Sequence, residues 1–247
     1  MGGEGACTSK TCVKPRVPAN RASKAATAAP PRRGFTLIEL LVVTAVLGVV
    51  SALLLPALAR VKGRAHALYC LSNLRQWGLA TQLYAVDHND TLPPEGTPNP
   101  GPGATNSGWY IQLPPILGLP RYHDQPWRTN AAVDPGRSVW LCPANRRRSN
   151  GRNLFHYCLN ENVNGTGEAN RPVRLSALSQ PETLIWLFDS KNLPAVGSWT
   201  YTHTNLHSGG AQFAFLDGHV ARFPNTAYWD FTVNKPCVND AGLRWWP

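Results

Sequence analysis

Two groups of residues in this sequence have side chains that could do chemistry. The first is a single acid. Glu39 is the one charge between Phe35 and Ala59, a run of 25 residues that is otherwise apolar or uncharged. A carboxylate in hydrocarbon costs roughly 2.5–3.5 kcal/mol at a helix centre, so Glu39 needs a partner or a purpose. The second group lies near the C-terminus, where His203, His207, Asp217 and His219 offer imidazole and carboxylate donors of the kind zinc accepts. A structural role competes with that reading. Asp217-Gly218 suits a two-residue hairpin turn in which Asp217 bonds backbone amides, and His207 packs or hydrogen-bonds across the hairpin. Ser208 beside His207 supplies triad residue types, but the order and spacing match no nucleophile elbow, and no G-x-S-x-G, P-loop or dinucleotide fingerprint is present. His156 and Asp189 are lone polar residues beside apolar runs and read as structural.

The elements that must hold these residues follow from composition and period. Of the 247 residues, 1–34 hold seven Lys/Arg and one acid, whereas 35–247 hold 17 basic and 13 acidic residues. The net charge of +10 is therefore concentrated in a leader and does not describe a nucleic-acid-binding face. Arg146, Arg147, Arg148 and Arg152 cluster without interleaved aromatics among turn formers, and read as a solvated loop. Residues 1–33 lack an apolar period and read as disordered. Residues 35–59 are long enough to span a bilayer as a helix, with the preceding basic residues favouring a cytoplasmic N-terminus. Leu68, Leu71, Leu74, Trp77, Leu79, Leu83 and Val86 continue as an amphipathic helix over 60–88, ending at the Asn-, Asp-, Pro- and Gly-rich stretch that follows. Pro56 should kink that helix. Beyond residue 89 the apolar stretches 138–143, 154–160, 182–190 and 211–223 are short and separated by turns. The fold class expected is α+β: a long N-terminal membrane-spanning helix continuing into an amphipathic helix packed on a small antiparallel β-sheet with long loops.

Six cysteines occur, with Cys7 and Cys12 in the leader and Cys70, Cys142, Cys158 and Cys237 after it. No C-x-x-C pair is present. Four cysteines in an exported domain allow two disulfides with three pairings, or a mixture of bridges and buried thiols. Most tryptophans lie in the C-terminal half and read as core or as contacts between subunits. Those in loops, and the terminal "LRWWP", are candidates for a sticky patch.

"GFTLIELLVVTAVLG" closely resembles the signature of type IV prepilins and type II secretion pseudopilins. The resemblance implies a pilin-like fold and cleavage between Gly34 and Phe35 by a prepilin peptidase, which also methylates the new N-terminal Phe35. It makes Glu39 the fifth residue of the mature chain and Pro56 the twenty-second. Glu39 of one subunit is then expected to meet the free amine of Phe35 on its neighbour, each charge neutralising the other. A second resemblance, carried by "ALYCLSNLRQWGLATQLYAVDHNDTLPP", "VWLCPAN", "PETLIWLFDS" and "NLHSGGAQFAFLDGHV", is to bacterial pilin-like proteins named for an H-x9-D-G motif, here His207, Asp217 and Gly218.

The parts implied are a leader (1–34, removed), a transmembrane or filament-core helix (35–59), its amphipathic continuation (60–88) and a periplasmic or extracellular β-domain (89–247). The partners implied are the peptidase/methyltransferase, other pilin-like subunits, the inner membrane and a secretion or pilus assembly platform. No nucleic acid, catalytic role or cofactor is expected. Zinc at the histidines, or calcium as some pseudopilins bind it, is the minority reading. A surface module binding a glycan or secreted cargo, and a tethered metal-dependent hydrolase, are the other functions weighed. The leader is longer than usual in this family, and a shorter product starting at Val13 or Val17 would lack Cys7 and Cys12.

Overall fold

The computed structural model describes residues 34–96, 108–128, 130, 132–147, 154–164, 172–191, 195–237 and 242–247. The expectations for the leader, including Cys7 and Cys12, and for Arg148 and Arg152 lie outside the described residues. The chain divides into two compact units, residues 1–49 and 50–247. The described part of the first is Gly34–Val49, the start of helix α1 (Leu37–Asp87), and every side chain in it is exposed. Within the second unit exposure continues along α1 to residue 65, and burial begins at His66 and Ala67. α1 is long and apolar enough to cross a membrane. It is one helix through Pro56. It ends at Asp87, where Asn89 and Asp90 take left-handed backbone conformations.

The face that α1 buries is Cys70, Asn73, Leu74, Trp77, Gly78, Ala80, Thr81, Tyr84 and Ala85. Leu68, Leu79, Leu83 and Val86, which the sequence reading puts on the same stripe, are 50–80% exposed. Helix geometry separates the two sets. At about 100° per residue, the step of two from Trp77 to Leu79 leaves one face and starts another. Leu68, Leu79, Leu83 and Val86 then fall within about 60° of one another, roughly opposite Leu74, Trp77 and Tyr84.

The C-terminal domain is built on a five-stranded sheet in the order β3-β1-β2-β4-β5, comprising β1 (Tyr157–Asn160), β2 (Ile185–Asp189), β3 (Val196–Gly197), β4 (Gly210–Phe215) and β5 (Val220–Pro224). All pairings are antiparallel except the short edge strand β3, which runs parallel to β1. A two-stranded ribbon, β6 (Trp229–Asp230) and β7 (Lys235–Pro236), follows. The central strands β2 and β4 are buried at every position. Continuous apolar runs such as "IWLF" suit them because both faces of the sheet are covered. On one face Trp186, Leu187 and Ala214 pack with Leu74 and Trp77 of α1. On the other, Phe188 and Phe213 pack with Tyr228 and Trp245. The terminal Trp245 is therefore core, 1% exposed, and not a surface patch.

Two further details differ from the sequence reading. Residues 138–143 form no strand. They pack along α1, where the Trp77 indole donates to the Val139 carbonyl (3.1 Å) and the Asn73 amide donates to those of Ser138 (3.2 Å) and Leu141 (3.0 Å). Helix α2 (Trp109–Ile116), which the sequence reading does not include, carries Pro114 and Pro115 in its last turn.

Candidate functional site

The N-terminal segment is organised by its own first turn. Thr36 donates its backbone N–H (2.8 Å) and its hydroxyl (2.7 Å) to Glu39 Oε2, and the Glu39 N–H donates back to Thr36 Oγ1 (3.3 Å). This is a capping box: Thr36 starts the helix and Glu39 satisfies a donor that the helix leaves orphaned. The T-x-x-E pattern that signals it, Thr36 to Glu39, is present in the sequence. Both bonds from Thr36 fall on Oε2, which leaves Oε1 open to a further donor. Gly34 has no neighbouring atom where a side chain would begin, and Phe35 is 73% exposed.

The His207-to-Gly218 spacing measures one strand. β4 occupies Gly210–Phe215, so His207 and Asp217 lie beyond its opposite ends, on the order of 20 Å apart at about 3.4 Å per residue. His203, His207, Asp217 and His219 therefore do not converge on a single point. At the turn end, Phe215 N–H donates to the His219 carbonyl (3.0 Å), closing a loop of three residues, Leu216 to Gly218, where the sequence suggests two. The additional residue, Leu216, is fully buried, and its N–H donates to the Leu184 carbonyl (3.1 Å), so the loop must turn inward before reversing. Gly218 takes φ +90°, which a side chain rarely adopts, and its carbonyl lies 3.2 Å from where a Cβ on Gly78 of α1 would sit. Asp217 Oδ1 accepts from the His219 N–H (3.0 Å) and meets His219 Nδ1 at 2.6 Å. These side chains are partly exposed and hold the turn.

The other end is buried. His207 is 3% exposed, and its Nε2 lies 3.2 Å from Oδ2 of the fully buried Asp189 and 3.5 Å from Sγ of Cys142. Asp189 Oδ2 also accepts the Gln212 N–H (2.8 Å). Arg222 donates to the carbonyls of His207 (2.6 Å) and Ser208 (2.8 Å). His156 Nδ1 accepts the Cys142 N–H (3.0 Å), so the ring donates from Nε2 to the Arg147 carbonyl (3.0 Å). The sequence places Asp189 and His156 as isolated structural residues. It carries no spacing signal that brings Asp189 to His207, because they sit on different elements.

Cys142 forms a disulfide with Cys70 of α1 (Cα–Cα 5.0 Å), and Cys158 and Cys237 are free thiols. Among the described residues, Cys158 and Cys237 form no second bridge. Cys158 faces the second core within β1, fully enclosed, and burial pushes its thiol well above the usual range.

Residues 30–55 match the family model of the prokaryotic N-terminal methylation motif. The match supports a prepilin-like protein. It covers Gly34, Phe35, Glu39 and most of the apolar run. No curated protein and no solved structure matches the chain. The prepilin-like motif and the exposed apolar half of α1 together support anchoring in a membrane.

Proposed function

We propose that this chain is a structural subunit of a type II secretion or type IV pilus-like filament. It waits as a single-pass inner-membrane protein with its N-terminus in the cytoplasm and its C-terminal domain in the periplasm. A prepilin peptidase then cuts it between Gly34 and Phe35. The observation that carries the reading is the methylation motif placed on the first half of α1, whose apolar side chains are exposed up to residue 65 among the described residues. Residues 35–59 are met by lipid before assembly and by neighbouring helices after it. The exposed stripe of Leu68, Leu79, Leu83 and Val86 extends the same demand beyond the membrane, and the occupant that fits is a second copy's apolar helix. The H-x9-D-G residues His207, Asp217 and Gly218 are structural in this reading and pin the two ends of β4.

The capping box sharpens the role of Glu39. In the single chain Thr36 holds the carboxylate; once Phe35 is freed, the amine of a neighbour's Phe35 is a stronger donor for the same group. Replacing Gly34 should abolish the mass shift of leader removal, and a variant still processed at the same bond sinks the proposal. Glu39→Val should leave cleavage intact and prevent assembly, read as loss of pelletable filament.

A further inference from the structure

Four elements bring metal-binding side chains to one buried point. Cys70 comes from α1, Cys142 from the 138–147 loop, Asp189 from the end of β2 and His207 from the approach to β4. All four are 0–3% exposed. The Sγ atoms of Cys70 and Cys142 and a ring nitrogen of His207 lie within 4.8 Å of one another. We propose that Cys70, Cys142, His207 and Asp189 form a latent four-ligand site for a thiolate-preferring divalent cation of the zinc class, available when the Cys70–Cys142 disulfide is reduced.

The two edges from His207 to Asp189 and Cys142 suit tetrahedral coordination. With metal bonds of about 2.0 Å to N or O and about 2.3 Å to S, the edges of a tetrahedron are roughly 3.3 Å for N···O and 3.5 Å for N···S. His207 Nε2 stands 3.2 Å from Asp189 Oδ2 and 3.5 Å from Cys142 Sγ. The sulfur–sulfur edge must open from a covalent bond to about 3.8 Å, and the Asp189 carboxylate, which stands outside the 4.8 Å cluster of Cys70, Cys142 and His207, must swing towards the sulfurs. Asp189 Oδ2 keeps a second lone pair for an ion beside the bond from the Gln212 N–H, and Oδ1 is buried with no hydrogen-bond partner among the described residues. The surroundings fix the ligands: the backbone of Cys142 through His156, and that of His207 through Arg222.

The chemistry balances. A dithiol reductant passes two electrons and two protons to the disulfide and closes to its own disulfide, leaving two thiols on the protein. A divalent cation then displaces the two thiol protons. Two thiolates and one carboxylate around the ion leave a net charge of −1, beside the cationic Arg222. With the disulfide closed there is no thiolate, and the site is shut.

The test uses the full chain in detergent, with Cys7→Ala and Cys12→Ala as background, reduced and freed of reductant without oxygen. Cobalt(II) is the probe. About one equivalent should bind, with thiolate-to-cobalt charge-transfer bands and the d–d bands of a tetrahedral ion, and the oxidised chain should take up none. His207→Ala and Asp189→Asn should each weaken binding at least about tenfold, whereas Cys158→Ala with Cys237→Ala should leave it unchanged. The proposal is overturned if the reduced chain binds no stoichiometric cobalt, if the thiolate bands are missing, or if His207→Ala keeps full affinity. Should reduction alone erase the near-ultraviolet circular dichroism, cobalt must restore it in the parent and not in His207→Ala; failure to restore it also overturns the site.

Discussion

Residues 68–86 of α1 carry two apolar faces with opposite fates. Leu74 and Trp77 are fully buried against the sheet domain, whereas Leu79 and Leu83 are about half exposed and Val86 is 80% exposed. Both faces are built from similar side chains at helical spacing. What separates them is which side the chain's own sheet covers. A face filled within the chain contributes to its folding; a face left bare does not, and under the proposed filament function it is the face a second copy would cover.

That contrast can be broken by substitution. Trp77→Ala removes a fully buried indole that donates to Val139 and packs against Trp109 and Trp140 at ring separations of 5.4 and 4.6 Å. It should cost about 3–5 kcal/mol in chemical denaturation of the C-terminal domain. Gly218→Ala tests the point where the β4–β5 turn meets Gly78 of α1, and should cost about 1–2 kcal/mol because φ +90° is strained for any side chain. A cost near zero would show that the turn relaxes without disturbing its helix contact. Leu79→Ser with Leu83→Ser should shift the stability of the single subunit least, by no more than about 0.5 kcal/mol each, and yet reduce filament yield sharply. Destabilisation comparable to that of Trp77→Ala would mean that the stripe is covered within the subunit.

Much of the N-terminal region was legible because its determinants are local. The apolar run, the lone Glu39 and the Gly34-Phe35 pair identify themselves by order along the chain, and α1 ends where turn formers begin. Local pattern also misled. The step from Trp77 to Leu79 looks like one continuing amphipathic period, although on a helix it crosses to the opposite face. The T-x-x-E of Thr36 and Glu39 was equally local and equally readable, and its meaning as a cap emerges when the hydrogen bonds are followed.

The sequence by itself determined a membrane-length helix, a methylation-type N-terminus, and a C-terminal half of short strands with a hairpin at Asp217-Gly218. Those features depend on length, period and turn chemistry within a few residues. Only the tertiary structure decided which cysteines pair, that His207 and Asp217 stand at opposite ends of β4, and that Asp189 lies against His207 beside the Cys70–Cys142 bridge. Those relations join residues 10 to 137 positions apart, brought together or held apart by a sheet whose strand order the chain does not spell out. Pairing across a sheet depends on the packing of the whole domain, and no short stretch of sequence contains it.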